Sequence, residues 1–156
     1  MSKATRETVS DWLMAVAAPI LFGSLFLTWS HQFSPGFLAR WGHSAAVVGI
    51  PRDPTAWQVY SAADVMLAGV AAGLLAVALW GGRGRRLALA LVLAVAVAFT
   101  VHALVVAPTN SVSIFEPAAS PPGYAANAPS AGPGVIVALI ALALGGAGIA
   151  LSFTAD

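Results

Sequence analysis

Tyr60–Trp80 reads YSAADVMLAGVAAGLLAVALW, Gly81–Arg86 reads GGRGRR, and Leu87–Val106 reads LALALVLAVAVAFTVHALVV. Each apolar run supplies about 20 residues, the length that carries a helix across a hydrocarbon core of about 30 Å. The tight connection between them holds three arginines and three glycines, too short for anything but a turn. This stretch therefore predicts an antiparallel hairpin of two transmembrane helices.

Two more apolar runs flank the hairpin, at Trp12–Trp29 and Val135–Phe153. The expected fold is an all-α integral membrane protein: a single four-helix bundle over residues 1–156, with helices near 12–29, 60–80, 87–106 and 135–153. Composition agrees. Hydrophobic residues make up 59% of the chain and charged residues 8%, against about 25% charged in an ordinary soluble domain. Lys3 and Arg6 precede the first run as they would in a signal peptide. Glu7 and Asp11 dilute that basic region, however, and Leu27-Thr28-Trp29-Ser30-His31 offers no small-residue cleavage site, so a retained helix is expected. Pro19 should kink it.

Basic residues set the expected orientation. With the N-terminus inside, Lys3, Arg6, Arg83, Arg85 and Arg86 are cytoplasmic and only Arg40 and Arg52 lie outside. Cytoplasmic loops carry such an excess of Lys and Arg, so both termini are expected in the cytoplasm. Trp29, Trp57 and Tyr60 then fall near the outer interface, and Trp12 and Trp80 near the inner one, as an aromatic belt.

The outer connections, about 31–58 and 108–133, differ in character. Ser34-Pro35 is an N-cap followed by proline at the first helical position. A short interfacial helix is expected over Pro35–Trp41, with Phe37, Leu38 and Trp41 toward lipid or protein. Asp53-Pro54 repeats the signal, so the second long helix is expected to start near Pro54. Between Pro108 and Pro133 there are six prolines among Asn, Ser, Gly and Ala, which predicts an extended loop whose bulky residues are Ile114, Phe115 and Tyr124.

Small residues mark candidate packing positions: Gly69 and Gly73 in the second run, and Ala141, Gly145, Gly146 and Gly148 in the fourth. Such spacing lets backbones approach closely. The same pattern suits packing inside the bundle or against a second chain.

Asp64 and His102 are the only acidic or basic side chains expected inside the spans. Asp64 lies nineteen residues before Arg83 and His102 nineteen after it, so at about 1.5 Å per residue both reach the same depth in the hairpin. A charge there is costly and is normally paired or wetted. The candidate pair could be a proton-linked or ligand-contacting site, an interhelix hydrogen bond, or an Asp solvated at the outer surface.

Other chemistry is sparse. The chain has no cysteine, which removes disulfides, thiolate catalysis and Cys-based metal sites. His31, His43 and His102 lack ligand spacing, so no metal or cofactor is expected. No phosphate loop, nucleophile elbow or carboxylate pair occurs, Glu116 and Asp53 stand alone, and a catalytic role is not expected. The net charge of +1 gives no basic stripe for nucleic acid.

Leu25-Phe26-Leu27-Thr28-Trp29 together with Trp57-Gln58-Val59-Tyr60-Ser61-Ala62-Ala63-Asp64-Val65-Met66-Leu67 resembles small four-span membrane proteins of actinobacteria. Thr28 stands where those proteins commonly have proline. The resemblance implies a bacterial cytoplasmic (inner) membrane and brings no activity with it. Two functional readings follow from the residues. One is a non-enzymatic accessory or structural subunit, with the lipid bilayer and other membrane subunits, or itself, as partners. The other is a homo-oligomeric small transporter or channel using Asp64 and His102.

Overall fold

The computed structural model describes residues 2–43, 51–60, 62–107 and 129–154, the Trp41 side chain excepted. The described chain is helical, with a small two-stranded ribbon at one end. In order it forms α1 (Lys3–Ser24), β1 (Ser30–His31), α2 (Pro35–Trp41), α3 (Ala56–Val59), α4 (Ala62–Trp80), α5 (Arg83–Val105), β2 (Ser130–Ala131) and α6 (Pro133–Phe153). Three of these helices, α4, α5 and α6, are long and apolar enough to cross a membrane.

The four long helices pack as a ring. α1 lies chiefly against α6 and then α4, while α5 closes the ring between α6 and α4. The core runs through the centre from Met14, Ala17 and Leu21 of α1 to Leu67, Val70 and Leu74 of α4, Leu93 and Ala96 of α5, and Ala138, Ala141 and Leu142 of α6. Large apolar side chains also cover the outside. Leu79, Leu91, Val95 and Ile140 are more than half exposed, which is the inverse of a water-facing helix surface.

Glycines set the helix separations on three seams. A Cβ on Gly148 of α6 would lie 2.9 Å from Met14 Cγ and 3.0 Å from the Ser10 carbonyl oxygen of α1. On Gly145 it would lie 2.9 Å from a Leu74 methyl, and on Gly73 3.0 Å from a Leu89 methyl. Gly69 differs: it faces outward, and a Cβ added there would meet nothing within 4 Å. The Gly81–Gly82 turn between α4 and α5 needs glycine, because both residues take positive φ, 61° and 103°.

Several boundaries depart from the sequence reading. α1 starts at Lys3 and stops at Ser24, so Leu25–Trp29 is not helical. Ser2 caps it, its hydroxyl accepting from the Thr5 N–H, and Pro19 lies within it. Trp29 is fully buried, whereas Trp12 and Trp80 are 67% and 71% exposed. α2 spans Pro35–Trp41, with Ser34 as N-cap. Its Phe37 stacks on the buried Phe33, ring centroids 5.3 Å apart. Asp53-Pro54 opens no helix: Thr55 is the N-cap of a separate one-turn helix, α3, and α4 begins only at Ala62. The end of the proline-rich connection is not free loop, since Ser130 and Ala131 form β2. Residues 45–50 of the first connection, and Ile114, Phe115, Glu116 and Tyr124, lie outside the described residues.

Candidate functional site

The end of the bundle opposite the α4–α5 turn is closed by a cap built from three distant segments. β1 pairs antiparallel with β2, Ser30 opposite Ala131 and His31 opposite Ser130. Thr28 bridges to Thr55, and the Trp29 N–H donates to the Pro54 carbonyl at 2.9 Å. The Gly132 and Gly134 N–H groups donate to the Trp29 and Thr28 carbonyls, each at 2.8 Å. The backbone released from α1 after Ser24 is thus drawn into hydrogen bonds, which a buried chain in an apolar setting requires.

The Trp29 ring fills the cap. Its Nε1–H donates to the Ser24 carbonyl at 2.8 Å, satisfying one of the carbonyls that the end of α1 leaves open. It meets Tyr60 edge-on at 6.1 Å, and Tyr60 meets Phe99 of α5 edge-on at 5.0 Å. This aromatic series ties the ends of α1 and α3 to α5. On the surface of the cap His31 Nδ1 and Asp53 Oδ1 lie 2.6 Å apart, both side chains well exposed.

Asp64 sits in the first turn of α4 beside this stack. It is fully buried, and neither carboxylate oxygen has a hydrogen-bond partner. Tyr60 is half-buried and within Coulombic reach of it. An acid in the first turn of a helix gains about 0.3–1 kcal/mol from the helix dipole. Burying an unpaired charge costs several kcal/mol, so the dipole alone does not account for Asp64.

The structure does not bring Asp64 and His102 together. His102 is exposed, while Asp64 points into the bundle. Helical rise gives both residues the same level, but the azimuth separates them. The buried stripe of α5 is Leu89, Leu93, Ala96, Thr100 and Ala103, and His102 is turned about 100° from Ala103. Thr100 occupies the inward position instead, its hydroxyl donating to the Ala96 carbonyl at 2.7 Å.

A polar group at the end of the bundle that holds the α4–α5 turn escapes a reading of the sequence. Arg86 of α5 reaches across to Asp11 of α1, Nη2 to Oδ1 3.7 Å, with the arginine largely buried. Arg6 donates to the Thr154 carbonyl just past α6 at 3.0 Å, a cation placed at a helix C-terminus. The Ser10 hydroxyl donates to the Gly148 carbonyl at 2.8 Å. Arg83 and Arg85 share the arginine-rich turn with Arg86 but are exposed. What separates Arg86 from them is its place one turn before Leu89 and Ala90, on the side of α5 that enters the bundle.

Elsewhere the chemistry is limited. Among the described residues no group of His, Asp or Glu is arranged to hold a metal ion. An open groove of about 280 Å³ between α5 and α6 is lined by Ala90, Leu93, Gly146, Ile149, Ala150 and Phe153, without a polar side chain. No family model, curated protein or solved structure matches this chain.

Proposed function

We propose that this chain is a four-span protein of the bacterial cytoplasmic membrane, both termini inside, acting as a non-enzymatic accessory or structural subunit of a larger membrane assembly. α1 is the fourth span, with the non-helical Leu25–Trp29 segment completing its passage, and α2 lies at the outer interface. The observation that carries the subunit role is how the buried hydroxyls are used. Ser10, Ser24, Thr100 and Ser152 all donate to backbone carbonyls at 2.6–2.8 Å. Three are thus tied back onto their own helix and Ser10 joins α1 to α6, so none is left to line a polar path, and conduction requires such a path. The exposed apolar flanks of α4, α5 and α6 supply surface for lipid and for partner helices. Homo-oligomeric transport is the second reading. Asp64 favours it as a buried acid at the outer end, though without His102 at its side.

Orientation is testable because the chain has no native cysteine. Single cysteines at positions 53 and 84 are expected to react oppositely with a membrane-impermeant maleimide. Position 53 should label in intact cells, and position 84 only after lysis. The reverse pattern would invert the topology. Native mass spectrometry of the tagged protein, gently extracted from its own host, tests the role. Foreign subunits at fixed stoichiometry are expected, and a pure homo-oligomer would move the case to transport.

A further inference from the structure

Among the described residues, Asp64 is the only buried acid with both oxygens lacking a hydrogen-bond partner. In an apolar surrounding a carboxylate is tolerated when it is paired, when it holds a metal, or when it is neutralised. Among the described residues no basic side chain pairs with it. The charged residues of α1 (Lys3, Arg6, Glu7 and Asp11) lie at the inner end, as do Arg83, Arg85 and Arg86 of α5. His102 is turned outward, and α6 has no acidic or basic residue. In the cap His31 and Asp53 engage each other at the surface, and Arg52 reaches the Gly42 carbonyl. A metal needs more ligands than this site holds, since no cluster of ligand-type residues forms among the described residues. A proton needs neither space nor further ligands.

We propose that Asp64 is a proton-binding site that exchanges with the outer face of the membrane. The carboxylate takes one proton from the outer aqueous phase and returns it, passing between one negative charge and none, with no redox change. The route is set by the fold. Asp64 is in the first turn of α4, and the chain between α3 and α4 is interrupted at Tyr60, whose backbone is extended (φ −123°, ψ 128°). At this interruption the half-buried Tyr60 lies within Coulombic reach of Asp64. This inference rests on the membrane placement proposed above and not on the subunit role.

The test uses the full chain in native membranes treated with dicyclohexylcarbodiimide. This apolar reagent adds across the O–H of a protonated carboxyl and leaves a stable N-acylurea. One adduct is expected on the peptide containing Asp64, absent in Asp64→Asn and retained in Asp64→Glu. Peptide mass spectrometry on the unaltered protein locates it whatever the variants do. Between about pH 5 and pH 6 the labelling is expected to fall less than about two-fold, whereas an ordinary ionised aspartate would lose about ten-fold. Absence of the adduct, or the ten-fold loss, overturns the proposal. Protection by sodium ions at constant pH also overturns it, replacing the proton by sodium. An alkaline carbonate wash of the same membranes separates the two levels of failure. If the protein stays in the membrane and Asp64 is unlabelled, the proton site alone is lost; if it washes out, the placement falls and the site with it.

Discussion

Trp29→Ala is expected to destabilise the folded protein by about 4 kcal/mol, within the range for removing a buried aromatic side chain. That corresponds to a fall of roughly 10 °C in the midpoint of thermal unfolding in detergent. Three losses combine. The fully buried ring leaves a cavity, the Ser24 carbonyl loses the shorter of its two hydrogen bonds, and the edge contact with Tyr60 disappears. Gly134→Ala attacks the same contact from the other side. A Cβ there would lie 2.5 Å from Trp29 Cδ1, 2.8 Å from Nε1 and 2.9 Å from the Thr28 carbonyl oxygen, and such overpacking costs about 1–3 kcal/mol. The two substitutions should not add. With the ring gone two of the three close contacts vanish and only the Thr28 carbonyl oxygen remains, so the double variant is expected to be about 1–2 kcal/mol more stable than the sum of the singles. Strict additivity would mean that the Gly132–Gly134 segment does not rest on Trp29.

The cap also marks where the sequence stops being legible. α4, α5 and α6 fall close to their apolar runs because length, hydropathy and the GGRGRR turn (residues 81–86) are local signals. The end of α1 is not local. Leu25–Trp29 is as apolar as the helix before it, and what stops the helix at Ser24 is pairing with Pro54, Gly132 and Gly134, far along the chain. Gly132-Pro133-Gly134 reads as a loop end and helix start, and nothing in it names Trp29 as its neighbour. For the candidate site, the equal depth of Asp64 and His102 followed from helical rise alone. Their azimuths did not. A helix apolar on all sides has no polar face to fix its rotation, so the inward stripe through Leu93, Ala96 and Thr100 becomes visible only after packing. The Arg86–Asp11 pair was hidden for a related reason. Three arginines in one turn look alike until the bundle draws one of them inside.

Packing between the longest-contacting helices yields the second large effect. Gly148→Leu is expected to cost more than about 3 kcal/mol and to leave little folded protein, because the first added carbon already meets α1. Its Cβ would lie 2.9 Å from Met14 Cγ, 3.2 Å from Leu13 Cβ and 3.0 Å from the Ser10 carbonyl oxygen. Met14 is a flexible side chain and can give way, but a backbone carbonyl cannot move without shifting α1. That shift would also break the 2.8 Å hydrogen bond from the Ser10 hydroxyl to the Gly148 carbonyl. The donor and acceptor would then be left unmet in an apolar interior, at about 1–3 kcal/mol. Gly69→Leu is the matched control, the same change in another membrane-length helix with nothing within 4 Å. It is expected to leave unfolding in detergent within about 0.5 kcal/mol of the parent. If Gly69→Leu instead dissociates the assembly from native membranes while the extracted chain stays folded, the outward face of α4 is where a partner helix sits. If Gly148→Leu unfolds no more readily than Gly69→Leu, the close approach of α1 and α6 is not what holds this bundle together.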